Sequence, residues 1–179
     1  MHPARTPLYR GQYDSQLGRI DLLLDSNGAL LRLDFALPGA LYTRVEYASA
    51  IFQQDAVSHI SQQLNEYFSG SRTDFDIELA PTGSSFLHEA WALLRTLPYG
   101  TTTTYGALAK TMGKPGFARA IGMANAVNPI SIIVPCHRVI AANGALTGYS
   151  GGLDKKRGLL VLEAEYSRNE LACAPDRHT

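Results

Sequence analysis

IIVPCHRVI, residues 132–140, sets a proline, a cysteine, a histidine and an arginine between two apolar, β-branched flanks. The flanks predict an extended segment from Ile130 to Val134. The centre predicts something else, because Pro135, His137 and Arg138 are not groups that a sealed apolar core selects. A cysteine flanked by Ile and Val is by default a buried structural residue. A neighbouring imidazole or guanidinium instead favours the thiolate, the form that acts as nucleophile. Both readings of Cys136 stand on this stretch alone. Side chains alternate along an extended chain, so His137 reaches Cys136 only through a turn or a bridging water.

The rest of the chain narrows the setting. It has 179 residues, 45% of them hydrophobic, enough for one sizeable domain or two small ones sharing an interface. No apolar run approaches 18 residues, so no membrane span is expected. MHPARTPLYR at the start lacks the apolar core of a signal peptide. The second cysteine, Cys173, lies in the polar tail NELACAPDRHT and reads as incidental. Two cysteines form neither a disulfide framework nor a zinc quartet, so no metal is expected and the natural setting is the reducing cytoplasm. Net charge is zero but unevenly spread. Residues 1–83 carry 6 Lys/Arg against 10 Asp/Glu, and residues 84–164 carry 8 against 3. The second half is therefore the candidate for meeting a polyanion, although a solvated basic surface explains the same numbers.

Upstream of the cysteine, Asn128-Pro129 ends a helix-turn-helix pattern. A short helix is predicted from Tyr105 to about Thr111, followed by a turn through Gly113 and Lys114. A second helix is predicted to open at Pro115. If Phe117, Ile121 and Ala124 face inward, the outer face holds Gly116, Arg119, Gly122, Met123 and Ala126. That face is nearly bare, with one long cation near its middle. It suits a backbone pressed against a large partner, and it equally suits helix packing on small residues. Before this pair, Ser84 and Ser85 predict a capped helix carrying Phe86, Ala90, Leu93, Leu94 and Leu97.

The first 83 residues propose no chemistry. Alternation at Ile20–Leu24 and Leu31–Phe35 around Asp25-Ser26-Asn27-Gly28 predicts a hairpin. Helical spacing of Val57, Ile60, Leu64 and Phe68 predicts a helix over 54–68, and TDFDIELAPTG predicts a short strand and a linker. Downstream of the cysteine, TGYSGG forms a loop that can offer N–H groups, a hydroxyl and a flat ring to a planar ligand. It leads into a helix that starts near Leu153. Glu163 shares that helix's apolar face with Lys156, Leu159 and Leu160. A carboxylate there is rarely buried without a partner, and it can hold His137 in one tautomer.

PCHRVI, with NPI eight residues before the cysteine and TGYSGG beginning eleven after it, closely resembles the O6-alkylguanine-DNA alkyltransferase family. RAIG at 119–122, KRGLLVLE and PYGTTTTYGALAK fit the same pattern, and the match covers roughly residues 84–164. The resemblance implies an α+β fold: a small N-terminal antiparallel sheet with a helix (ribonuclease-H-like, 1–83), then a mostly helical, winged-helix-like DNA-binding domain (84–165) and a disordered tail (166–179). It implies a suicide methyltransferase without cofactor or metal. The protein would take an alkyl group once from guanine O6, less readily from thymine O4, onto Cys136. His137, acting through a water, and Glu163 would assist, and Asn128 would brace the turn. Arg119 would enter the stack of the flipped nucleotide and Tyr105 would sit beside it, with Gly122, Met123 and Ala126 against the minor groove. Val139, Tyr149, Ser150 and Lys156 would line the base pocket. A monomer is expected. A cysteine hydrolase and a non-catalytic lesion-binding protein are the alternatives.

Overall fold

In the computed structural model, which describes residues 6–36 and 45–173, the first half is a four-stranded sheet backed by a helix. β1 (Tyr9–Ser15) and β2 (Gly18–Leu24) form an antiparallel hairpin. β3 (Leu30–Phe35) pairs antiparallel with β2, and a five-residue helix, α1 (Val45–Ser49), precedes β4 (Ile51–Phe52). The Asp25–Gly28 hairpin forms as its residues dictate. Asp25 Oδ1 accepts from the N–H groups of Asn27 and Ala29, and Gly28 takes φ +89°. The sheet order is β3-β2-β1-β4, and β4 runs parallel to β1. The expected all-antiparallel sheet therefore has one parallel edge. β1, YRGQYDS, carried no apolar alternation to announce it, because its one buried position is Gly11, where any Cβ would collide with Val57.

A 3-10 turn (Gln54–Val57) leads into α2 (Ser58–Phe68), which buries Ile60, Leu64, Tyr67 and Phe68 against the sheet. The strand expected in TDFDIELAPTG reduces to one bridge between Leu79 and Leu30, with Leu30 N–H on Glu78 O and Ala80 N–H on Leu30 O. Pro81, which has no N–H to donate, stops the pairing there.

The second half is mostly helical. α3 (Ser85–Arg95) starts at Ser84, whose hydroxyl accepts from Leu87 N–H. β5 (Thr103–Thr104) precedes α4 (Tyr105–Thr111), capped by Thr104, and α5 (Ala118–Ala126) follows. β6 (Val139–Ile140) pairs parallel with β5, and α6 runs Leu153–Cys173. Pro115 does not open α5. Lys114 O accepts from Phe117 N–H in a turn, so the helix begins three residues later than expected. Phe117 is half exposed (49%) with its ring against Phe86, so the inward face of α5 is carried by Ile121, Ala124 and Asn125 instead. The chain does not loosen at residue 166 either: α6 continues to Cys173, with Tyr166 packed on the core. Residues 174–179 and the Cys173 side chain lie outside the described part.

One hydrophobic core spans both halves, from Ile20 and Leu22 through Leu64 and Tyr67 to Trp91, Ile121 and Leu159. The edge strand β3 also grips the second half directly. Leu33 N–H donates to Pro129 O at 2.9 Å, and Ser131 N–H donates to Leu33 O at 3.0 Å. The half that offered no chemistry thus braces the segment leading to Cys136. Among the described residues, no helix is long and apolar enough to cross a membrane.

Candidate functional site

The expected extended segment 130–134 is a chain of tight turns. Ile133 N–H bonds to Ser131 O at 2.8 Å across Ile132, whose φ is +71°. A positive φ at a β-branched residue is strained by about 1–3 kcal/mol and persists only where the surroundings enforce it. Pro135, with φ −79° and ψ 61°, closes an inverse γ-turn from Cys136 N–H to Val134 O. Cys136–Arg138 then form one 3-10 turn. Asn128, buried at the end of α5, enforces this path. Its Oδ1 accepts from Ile130 N–H at 3.1 Å, and its Nδ2 donates to Val134 O at 2.9 Å and to Cys136 Sγ at 3.1 Å. Asn125 Nδ2 adds a bond of 3.4 Å to Cys136 O.

The turn aims successive side chains in different directions. Cys136 meets Asn128, while His137 and Arg138 converge on Glu163 from α6. His137 Nε2 lies 2.8 Å from Glu163 Oε1, and Arg138 donates through Nη2 to Oε1 (2.8 Å) and through Nε to Oε2 (2.9 Å). Arg138 Nη1 is held by Leu97 O. Gly100 N–H donates to Oε2 at 3.1 Å, and Tyr67 OH donates to Oε1 at 2.8 Å. Gly100 adopts φ +71° at a point where a Cβ would collide with Ser167, so only glycine delivers its N–H there. Burial opposes ionisation of Glu163, but the hydrogen bonds and charges of His137 and Arg138 outweigh it and hold the carboxyl well below its usual range.

An ionised Glu163 only accepts, so His137 Nε2 carries the proton and Nδ1 keeps its lone pair. Burial lowers the imidazole pKa against the pull of Glu163, which leaves the ring neutral near pH 7. Nδ1 is buried and makes no hydrogen bond among the described residues. The Cys136 thiol is pushed up by burial, and Asn128 and the Lys156 ammonium only partly offset this. At rest the sulfur is therefore a thiol. His137 Nδ1 and the Cys136 sulfur share no direct hydrogen bond.

Lys156 is fully buried and spans two carbonyls, Val139 O (2.7 Å) and Thr147 O (2.8 Å). It ties the 3-10 turn to the TGYSGG loop. Thr147 Oγ1 lies 3.2 Å from Tyr105 OH at the start of α4, which joins that loop to the helix pair. Tyr149 is half-buried with its ring tilted against Phe35 of β3, and Gly151 sits where a Cβ would collide with both rings. Ser150 is exposed beside it. On α5, Arg119, Met123 (62% exposed) and Ala126 face solvent, Gly116 is exposed ahead of the helix, and Gly122 lies near the Tyr105 ring. Trp91 Nε1–H pins the helix from behind through Ala124 O.

The structure thus gathers Cys136, Asn128, His137 and Glu163 into one buried cluster. Lys156, Val139 and Tyr149 lie around it, and the bare face of α5 forms a separate surface. Sequence reasoning missed the roles of Arg138, Asn125, Gly100 and Tyr67. Arg138 was visible beside His137 but had no assigned counter-charge. Tyr67 left only a faint signal, a phenol at a buried helical position 96 residues from its partner.

Fold and site define a class: an α+β protein that sets a buried cysteine–asparagine contact and a histidine–glutamate pair behind a helix-turn-helix. Residues 85–165 match the DNA-binding domain of 6-O-methylguanine DNA methyltransferase, and residues 8–81 match its ribonuclease-like domain. A methylated-DNA–protein-cysteine methyltransferase of Methanosarcina acetivorans is 45% identical over 156 residues, covering 87% of this chain and 98% of that protein. One from Mycolicibacterium paratuberculosis is 57% identical over 106 residues, a stretch that spans 59% of this chain and 64% of the relative. The crystal structure of Mycobacterium tuberculosis O6-methylguanine methyltransferase superposes with TM-score 0.78 at 41% identity, covering 89% of this chain and 94% of that one. The structure of Mycobacterium tuberculosis OGT in complex with DNA gives TM-score 0.80 at 42% identity over 88% and 94%. The chain belongs to the 6-O-methylguanine DNA methyltransferase family.

Proposed function

We propose that this protein repairs DNA by direct reversal, transferring one methyl group from guanine O6 to Cys136 in a single displacement. The observation that carries this reading is Cys136 Sγ held by Asn128 beside a neutral His137 whose Nδ1 is free and whose Nε2 is fixed by Glu163. His137 takes the thiol proton through a water. The sulfur attacks the methyl carbon, the S–C bond forms as the O6–C bond breaks, and the bonding pair stays with guanine, which is then reprotonated. No step regenerates the thiol from the thioether, so each molecule acts once.

The methyl carbon is out of reach inside a duplex, so the nucleotide has to leave the stack. Arg119, alone on the bare outer face of α5, serves as the wedge, and Gly122, Met123 and Ala126 let the helix backbone approach the minor groove. Tyr105 stands beside the extruded nucleotide. Val139, Tyr149, Ser150 and Lys156 receive the base. The DNA complex of a relative supports DNA as the partner. The excess of cations in residues 84–164 supports phosphate contact, and the protein works as a monomer in a reducing cytoplasm.

Intact mass after incubation with a duplex containing one O6-methylguanine tests the reaction. The expected result is a gain of about 14 Da, saturating at one per protein and mapping to Cys136, with unmodified guanine left in the DNA. Catalytic turnover, or tight binding without a mass change, would overturn it. Arg119→Ala is expected to slow transfer from duplex DNA by about tenfold or more, because flipping costs a few kcal/mol. Its effect on the free methylated base should stay within about twofold. Equal slowing of both substrates, measured in single-turnover assays, would remove Arg119 from the wedge role.

A further inference from the structure

We propose that Tyr67, which comes from the half of the chain without apparent chemistry, is a positioning residue for the thiol reaction: its hydroxyl holds Glu163 and sets how strongly that carboxylate pulls on His137. The proposal rests on the reading of Cys136 as the acceptor.

Tyr67 is 0% exposed, and its hydroxyl donates to Glu163 Oε1 at 2.8 Å. Burial and the Glu163 charge push its pKa well up, so it remains a donor at any working pH. Oε1 is crowded. It meets the Tyr67 hydroxyl, His137 Nε2 and Arg138 Nη2 at 2.8 Å each, and Arg138 Nε at 3.2 Å. A carboxylate oxygen has about two lone-pair directions to share among them. Each donor therefore draws electron density from the others, and Tyr67 weakens the bond from Oε1 to His137. The ring that carries the hydroxyl is fixed edge-on to Tyr99 at 5.8 Å and lies 5.5 Å from Phe75.

Loss of the hydroxyl leaves Glu163 fully paired by Arg138 and Gly100 N–H but makes Oε1 a stronger acceptor for His137. The imidazolium form gains and the pKa of His137 rises. A raised pKa means that the neutral, proton-accepting form of His137 appears only at higher pH. The other charged or titratable groups around the pair are Arg138 and Cys136 on the 3-10 turn, Tyr99 before β5, Tyr149 in the TGYSGG loop and Lys156 on α6. All of them are unchanged in the variant.

The test compares wild type, Tyr67→Phe and Phe75→Leu. Phe75→Leu disturbs the same ring packing and leaves the hydroxyl in place. Two readouts are taken: the pH dependence of single-turnover methyl transfer, and the titration of the His137 ring nitrogens by NMR. Tyr67→Phe is expected to move the acid limb and the imidazole titration upward by about 0.5–1 pH unit. That is a loss of about three- to tenfold in rate on the acid side, with the plateau within about twofold. Phe75→Leu is expected to lower the melting temperature and shift neither curve. Superimposable titrations for wild type and Tyr67→Phe, or an equal shift in Phe75→Leu, would overturn the proposal. If wild type itself gained no methyl group, the reading of Cys136 would fall, and the imidazole titration would still decide whether Tyr67 governs His137.

Discussion

Glu163→Gln is expected to lower the melting temperature by about 6–20 °C and to slow methyl transfer by roughly 10²–10⁴-fold. Two consequences of one atom change produce this. Arg138 is buried and sends both Nε and Nη2 to the carboxylate, so a neutral amide leaves an uncompensated guanidinium in the core, worth about 3–5 kcal/mol. The amide also has one oxygen where the site needs two acceptors. Arg138 and Gly100 N–H claim that oxygen, which turns the NH2 toward His137 Nε2. The imidazole must then accept at Nε2 and carry its proton on Nδ1, and a protonated Nδ1 cannot take a proton from the thiol. Thermal melts and rapid-quench kinetics report the two effects separately. The sign of the pH dependence gives a further check. Glu163 has a depressed pKa in the fold, so its stabilisation is complete above the ordinary glutamate value of 4.5 and is lost as pH falls toward the lower folded value. The difference in stability between wild type and Glu163→Gln should therefore be constant at neutral pH and shrink below about pH 4. Asp21 and Asp34, whose carboxyls are raised by burial, titrate in the opposite sense in both proteins and cancel in the comparison. A variant with wild-type kinetics would show that the tautomer does not matter.

The nature of this site explains why part of it was legible in the sequence. Cys136, His137 and Glu163 could be read because each contradicts its surroundings: polar or reactive groups stand in an apolar turn or on an apolar helix face. The hairpin at Asp25–Gly28 and the helices α3 and α4 could be read because their caps and turn residues act within three or four positions. Non-local features left no comparable trace. β1 is a strand only because β2 and β4 lie on either side of it, and its buried glycine has no apolar side chain to mark it. Tyr67 meets Glu163 across 96 residues, and Leu33 meets Pro129 across the same two halves. The most misleading stretch was the most informative one. Ile-Ile-Val reads as a strand by propensity, yet tertiary hydrogen bonds fold it into turns and push Ile132 to a positive φ. That departure has a purpose in the site. A strand would have sent Cys136 and His137 to opposite faces, whereas the 3-10 turn keeps both inward, the sulfur on Asn128 and the imidazole on Glu163.

Asn128→Ala is expected to cost about 3 kcal/mol, or roughly 6–12 °C in melting temperature, and to slow transfer at neutral pH by about tenfold or more. The side chain supplies an acceptor to Ile130 N–H and a donor to Val134 O, both buried, and each group left unpaired is penalised by about 1–3 kcal/mol. Those same bonds force the chain over the strained Ile132, so without them the turn is free to relax and carry the sulfur out of line. The kinetic loss has a second source. Nδ2 is the hydrogen-bond donor to Cys136 Sγ, and after burial it has the largest influence on the thiol, acting to lower its pKa. Removing it raises the thiol further, and each pH unit lowers the thiolate fraction tenfold. Asn128→Asp separates the two sources. Its carboxylate still accepts from Ile130 N–H but donates nothing to the sulfur, and it places a negative charge where a thiolate must form. Buried without a counter-charge and facing two acceptors, the carboxylate cancels what it restores at Ile130 N–H. The aspartate variant should therefore melt no higher than the alanine variant and transfer more slowly at pH 7. Melting curves with single-turnover rates, taken well below either transition, decide this. An aspartate variant faster than alanine would show that Asn128 acts on the turn alone and not on the sulfur.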